Sequence, residues 1–315
     1  MEMTDIPSGE VVRFGKFVSR ILAPNPGLMR GSGTNTYIVG TDELAVIDPG
    51  PAIDCHIKNI QHAVKDRLRW ILCTHTHRDH SPAAALLKQL TGAQVLGRPA
   101  PADERHDQTF CPDKVLNDGD RIVARNFVLQ TIHTPGHSSN HLCFLLEEER
   151  LIFTGDHIME GSTVVISPPD GSMRAYLMSL KRLLRCELAV LAPGHGGLID
   201  EPYDEIRRLI QHRINREQKV LAAFRAINPA GLDDLLPLVY EGLKADLLPA
   251  ARRSLHAHVI KLVEDGLLIQ RPSGPGKTGA NSVVWSSVAM DENTVAHATT
   301  IGWTSGMDMA SSIDE

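Results

Sequence analysis

Residues 74–80 read THTHRDH. They follow the apolar run WILC (70–73) and precede Ser81-Pro82 and the segment AAALLKQL (83–90). WILCT reads as a buried strand. Ser81-Pro82 reads as a helix start, with Ser81 as N-cap and Pro82 in the first helical position. The histidines therefore sit on a loop between a strand and a helix. In an extended chain, alternate spacing turns the imidazoles of His75 and His77 the same way. Asp79 and His80 then turn towards a second point at the helix start. One histidine alone is most simply structural. Three with an aspartate at a strand end form a metal-ligand pattern, because imidazole is the commonest transition-metal ligand.

Working outward, three more candidates fall at strand ends. His137 lies in TPGHSSNH after FVLQTI, Asp156 in TGDH after RLIF, and His195 in PGHG after ELAVLA. Glycine precedes each, at 136, 155 and 194, and lets backbone approach a crowded centre. Taken singly, His137 and His195 are open between structure and ligation, and Asp156 reads as a turn residue. Together with 74–80 they complete two ligand sets. His141 and His157 stand beside these positions, as residues that could orient a ligand or substrate. His106 and His133 are left without a role.

The totals agree with an enzyme of ordinary composition. The chain has 315 residues, 42% apolar and 22% charged, with a formal net charge of −6. No bulk basic excess marks a nucleic-acid binder. The five cysteines contain no CxxC pair, which argues against a thiolate zinc site or a disulfide frame. The start, MEMTDIPSGEVVRFG, lacks an apolar signal region, and no apolar run reaches the ~18 residues of a membrane span. A cytoplasmic protein without membrane contact is expected.

TYIV and LAVI within 34–48 read as a hairpin ending at Asp48-Pro49-Gly50, and 54–67 as a helix. RIVA pairs with FVLQTI, and HLCFLL with RLIFTG. Helices are predicted over 171–185 and 201–226. Hairpins mixed with helices do not fit a doubly wound sheet, but they fit two packed sheets with helices outside. From 227 two helices and two short strands around RPSGPGKTGAN read as a winged-helix-like unit, 227–286. The segment 287–315 has no periodicity and is expected to be a disordered tail.

The order HxHxDH, His, Asp, His resembles the metallo-beta-lactamase-fold hydrolases, with the match running from about Asn35 to His195. The resemblance implies an αββα sandwich over 1–226, the long helix included, with two divalent metals: zinc first, manganese or iron as alternatives. It places His75, His77 and His137 on one metal, Asp79, His80 and His195 on the other, and Asp156 on both. Asp48, in VIDPG, would support the metal loop from behind. NTYIVG, TPGHSSNH, LLEEERLIFTGD, PGHG and HRINREQ (212–218) further resemble the beta-lactamase-like protein 2 group. Its animal members include an endoribonuclease for single-stranded RNA, and its fungal relatives include acyl-carrier thioesterases.

The resemblance thus implies hydrolysis by a metal-bridging hydroxide held with the help of Asp79. An aspartate at 156, where lactamases of this fold carry cysteine, argues against antibiotic hydrolysis. Residues 225–286 hold seven Lys or Arg against six Asp or Glu, too even for a phosphate-tracking groove. The expected substrate is therefore a small ester or thioester. Single-strand endoribonuclease activity is the alternative, and a mononuclear iron persulfide dioxygenase the minor one. For the C-terminal unit, a lid or homodimer contact is expected ahead of RNA binding. His212, Arg213 and the leaving group are left open.

Overall fold

In the computed structural model, residues 8–272 and 283–288 are described; residues 1–7, 273–282 and 289–315 lie outside them, and with them all but the first two residues of the segment 287–315. The chain falls into two compact units, Met1–Ile210 and Gln211–Glu315.

The first unit holds two sheets. A seven-stranded sheet runs in chain order through β1 (Val11–Phe14), β2 (Val18–Leu22), β3 (Asn35–Val39), β4 (Leu44–Ile47), β5 (Leu68–Leu72), β6 (Gln94–Gly97) and β7 (Lys114–Val115). A five-stranded sheet holds β8 (Arg121–Val123), β9 (Val128–His133), β10 (Leu142–Leu146), β11 (Leu151–Gly155) and β12 (Val190–Pro193), in the order β12-β11-β10-β9-β8. The expected pairs β3/β4, β8/β9 and β10/β11 are all antiparallel. β9 and β11 both run against β10, and β12 runs parallel to β11. The C-terminal ends of β9, β11 and β12 therefore share one end of the sheet.

Every residue of β3 and β4 is buried, because each face of their sheet meets a different layer. Tyr37, Val39, Ile47 and Leu72 point between the sheets and pack with Phe144, Phe153 and Leu129 of the second. The Tyr37 and Phe153 rings lie 5.0 Å apart. The alternate residues Ile38, Val46 and Ile71 pack with Ile60 and Val64 of α1 (Asp54–Val64) and Leu87 of α2 (Ala83–Thr91). Burying one such aliphatic side chain contributes about 1.5–3 kcal/mol. α3 (Met173–Leu183) buries Met173, Tyr176, Leu177, Leu180 and Leu183 at helical spacing. This is the expected αββα layering.

The start of α2 departs from expectation. Its N-cap position is Pro82, with no side-chain cap bond, and Ser81 Oγ instead donates to Asp107 Oδ2 at 3.0 Å. A carboxylate within reach takes the hydroxyl away from the helix end. Strands β1, β2, β6 and β7 add to the expected elements.

The second unit carries the last part of α4 (Pro202–Ala226), α5 (Leu232–Val239), α6 (Leu248–Glu264) and the antiparallel pair β13 (Leu268–Pro272) and β14 (Val283–Ser287). Val220, Phe224, Leu235, Leu255, Val259, Leu262 and Trp285 form its core. The two helices followed by a two-stranded ribbon are the expected winged-helix arrangement. Among the described residues, no helix is long and apolar enough to cross a membrane.

Candidate metal centre

Asp48, Thr74-His75, His137, Asp156 and His195 each lie just past a strand: β4, β5, β9, β11 and β12. The sheets bring these five ends together. Two groups of side chains result, one of His75, His77, His137 and Asp156, the other of Asp79, His80 and His195. Within each, one ligand atom per residue lies within 4.8 Å of all the others.

Asp156 faces both groups. Its Oδ2 lies 3.6 Å from His137 Nε2 and 4.0 Å from His75 Nε2. Its Oδ1 lies 3.3 Å from His80 Nε2 and 3.4 Å from His195 Nε2. Asp79 places Oδ2 at 3.4 Å from His195 Nε2 and Oδ1 at 3.8 Å from His80 Nε2. His77 Nδ1 lies 3.0 Å from both His75 Nε2 and His137 Nε2.

The outer nitrogens show what the inner ones can do. His137 Nδ1–H donates to the Val165 carbonyl at 2.8 Å and His195 Nδ1–H to that of Gly33 at 2.9 Å. His80 Nδ1–H donates to Asp48 Oδ2 at 2.9 Å. Thr74 Oγ1–H donates to Asp48 Oδ2 at 2.7 Å, so Thr74 Oγ1 accepts from His75 Nδ1–H at 3.0 Å. The hydrogen-bond network thus fixes the tautomers and leaves Nε2 of all four rings as a lone pair aimed inward. These lone pairs face carboxylate oxygens, which also only accept. His80 Nε2 and Asp156 Oδ1 are buried without a hydrogen-bond partner. Acceptors converging on acceptors fit a cation between them, and imidazole with carboxylate suits zinc, manganese or iron.

Electrostatics point the same way. Burial, then the neighbouring rings, hold His75 well below the usual imidazole range. Burial, then His137, does the same for His77. His137 is lowered by burial, against the pull of Asp156. Neutral rings are what a metal needs. Burial opposes a proton on His80 and His195, but Asp156 and Asp79 outweigh it and raise both. The carboxylates that draw a proton there draw a metal cation in its place. Burial pushes Asp79 up, yet the charges of His80 and His195 hold its carboxyl at about 2.

The expected glycines are required where they stand. A Cβ on Gly155 would come 2.5 Å from Thr74 Oγ1 and 2.8 Å from His141 Nε2, and on Gly194 2.8 Å from His80 Cε1. Asp48 adopts a left-handed φ of 51°, strained for a non-glycine residue and offset by three bonds to its carboxylate, from Thr74 N–H, Thr74 Oγ1–H and His80 Nδ1–H. His141 stacks on His75 with centroids 5.1 Å apart and binds Thr134 Oγ1 through Nδ1. His157 does not touch a candidate ligand ring. It packs on His141 and Tyr176 at 5.8 and 4.9 Å, and burial holds its pKa at about 3. Sequence reasoning missed Thr74, the carbonyls of Gly33 and Val165, and a group at Thr76, His106, Asn140 and Asp170. A main-chain carbonyl leaves no trace in residue identity. Thr74 has one, directly preceding His75.

Comparison with known proteins agrees with this geometry. Residues 29–195, more than half of the chain, match the family Metallo-beta-lactamase superfamily, and residues 232–277 match the Beta-lactamase associated winged helix domain. The Beta-lactamase-like protein 2 homolog of Drosophila melanogaster is 29% identical over 82% of this chain and 91% of its own. The Atrochrysone carboxyl ACP thioesterase of Aspergillus fumigatus is 30% identical over 71% of this chain and 69% of its own. A crystal structure of a beta-lactamase domain protein from Burkholderia ambifaria shares the fold with a TM-score of 0.72 at 17% identity, covering 90% of this chain and 95% of the other. The chain is a metal-dependent hydrolase and belongs to the metallo-beta-lactamase superfamily.

Proposed function

We propose that this chain hydrolyses a small acyl ester or thioester with two divalent metal ions, in the cytoplasm. His75, His77 and His137 would hold one ion, Asp79, His80 and His195 the other, and Asp156 both. The observation that carries this reading is the division of Asp156, one oxygen towards each set. Bound there, the two ions would bring the ionisation of a water near neutral pH and polarise the acyl carbonyl.

The chain's own residues supply the rest. Asp79 stays ionised at neutral pH, because its carboxyl is held at about 2. It can accept a hydrogen bond from the attacking water and orient it. A carboxylate of that pKa is a poor resting base, so orientation is its main contribution. Asp48, through His80 and through Thr74 and His75, keeps two rings in the tautomer that presents Nε2. Similarity to a protein named as a carrier-protein thioesterase supports the acyl substrate class. The near balance of charge over 225–286 also weighs against a phosphate-tracking surface. All five cysteines are free, in keeping with a reducing compartment.

The test is one metal-defined preparation assayed in parallel on acyl thioesters, lactones and single-stranded RNA, with Asp79→Ala as blank. Thioester turnover that follows metal content and falls about 100-fold in the blank is expected. RNA cleavage as the only metal-dependent activity would replace the proposal with the nuclease reading. A single iron per chain with oxygen uptake would replace it with the dioxygenase one.

A further inference from the structure

Four of the five candidate ligand rings are tied by their outer nitrogen: His75 to Thr74, His80 to Asp48, His137 to Val165 and His195 to Gly33. His77 is the exception. It turns Nδ1 inward, and among the described residues its Nε2 makes no hydrogen bond. What touches it instead is the ring of His106, with centroids 4.4 Å apart and planes tilted by 33°. The two residues also form an isolated antiparallel backbone bridge.

His106 is fully buried and held at both nitrogens. Asn140 Nδ2–H donates to Thr76 Oγ1 at 2.8 Å, so the Thr76 hydroxyl has its proton free to donate to His106 Nδ1, also at 2.8 Å. His106 Nε2–H then donates to Asp170 Oδ2 at 3.2 Å. Asp170 Oδ2 also accepts from the Ser139 N–H at 3.1 Å. The chain Asn140–Thr76–His106–Asp170 has one consistent donor direction and crosses four separate loops. Two of these carry His77 and His137, and a third, the one ending at Asp170, carries the carbonyl of Val165 that orients His137. The loop of Thr76 also carries Asp79 and His80, but the ring that His106 touches directly is His77, so the brace bears most directly on the His75/His77/His137 set.

We propose that His106, locked by Thr76 and Asp170, is a positioning residue for His77 and fixes the plane of the one ligand ring that no hydrogen bond holds from its outer nitrogen. This rests on the metal reading above. A ring free to rotate about χ2 loses its aim without losing the fold. Outer partners of this kind typically change metal affinity about 10- to 100-fold.

The experiment is Co(II) binding to the full metal-free chain, read by absorbance and by competition with a chelator. His137→Ala and His195→Ala identify which of the two binding steps belongs to which set. His106→Ala and Asp170→Ala are expected to weaken the His75/His77/His137 step about 10- to 100-fold and to leave the Asp79/His80/His195 step unchanged. Asp170→Asn, which keeps an oxygen for His106 and Ser139, is expected to restore wild-type binding. If His106→Ala fails to fold, the Asp170 pair decides. Wild-type affinity at both steps in Asp170→Ala, or equal weakening of both, overturns the inference. A wild-type chain that binds no Co(II) overturns the metal reading first, and this inference with it.

Discussion

Two buried clusters in this chain are built from the same residue types and have opposite character. In the first unit, Asp48, Asp79 and Asp156 meet His75, His80, His137 and His195, and among the described residues neither Asp79 nor Asp156 has a Lys or Arg partner. In the second unit, buried Glu217 meets Lys261 Nζ at 2.9 Å and His258 Nδ1 at 3.4 Å, and Lys261 also reaches Asp265 at 2.7 Å. Arg213, 2% exposed, acts on the same histidine. The second cluster brings its own cations and is balanced in charge, although Glu217 Oε1 and both His258 nitrogens are buried there without a hydrogen-bond partner. The first gathers carboxylates and inward lone pairs that only an external cation balances. Burying unpaired charge is costly, so the imbalance marks the first cluster as the candidate functional one.

The sharpest way to break this contrast is to remove its centre. Asp156→Ala takes an oxygen from both ligand sets and should lower hydrolysis by about 1,000-fold or more, near 4 kcal/mol of barrier. Metal analysis should show fewer than two ions per chain. Full activity in that variant would mean that Asp156 is the turn residue its local sequence suggests. Asp79→Ala comes next. It should cost about 100-fold, near 2.7 kcal/mol, in kcat at saturating metal, because it removes one ligand and the group that orients water.

How much of this contrast was legible in the sequence differs between its parts. The candidate ligands stand out as a pattern because four of them crowd into 74–80 and each remaining one follows a glycine at a strand end. The atoms that a Cβ at Gly155 or Gly194 would strike give the physical reason for that pattern. The layers were readable from hairpins and helical spacing. Strand β1 was not, because its exposed and half-buried residues give an edge strand no clear apolar face. The brace at His106 was hidden for another reason: its partner Asp170 is 64 residues away, and only the fold joins them. Likewise Lys261 and Glu217 lie 44 residues apart, so the helical spacing of α6 shows its apolar stripe but not its ion pair.

A smaller change tests whether the first cluster is held from behind as argued. Asp48→Asn keeps a residue type that tolerates the left-handed φ of 51° while removing the charge that fixes His80 and Thr74. Metal affinity should fall about 10- to 100-fold, measured by chelator competition, with the thermal midpoint of the metal-free chain little moved. Because Asp48 reaches His80 directly and His75 only through Thr74, the Asp79/His80/His195 step should weaken more. Equal weakening would show that the relay through Thr74 carries as much as the direct bond.

The smallest effect belongs to the charge-balanced cluster, and it carries a sign. Burial holds His258 at about 4, below its ordinary 6.5, even with Glu217 beside it. Between those values the unfolded unit binds a proton that the folded unit refuses. The stability contributed by the neutral ring is therefore fully present above about 6.5 and is lost as pH falls towards about 4. The slope is at most about 1.4 kcal/mol per pH unit, that of a single proton. Hydrogen exchange of the α6 amides should quicken over this window, and His258→Phe should flatten the response. A wild-type profile that is already flat would mean the ring is charged in the fold and shares Glu217 with Lys261. The second cluster would then be an ion triad, and the contrast with the first would rest on its balance of charge alone.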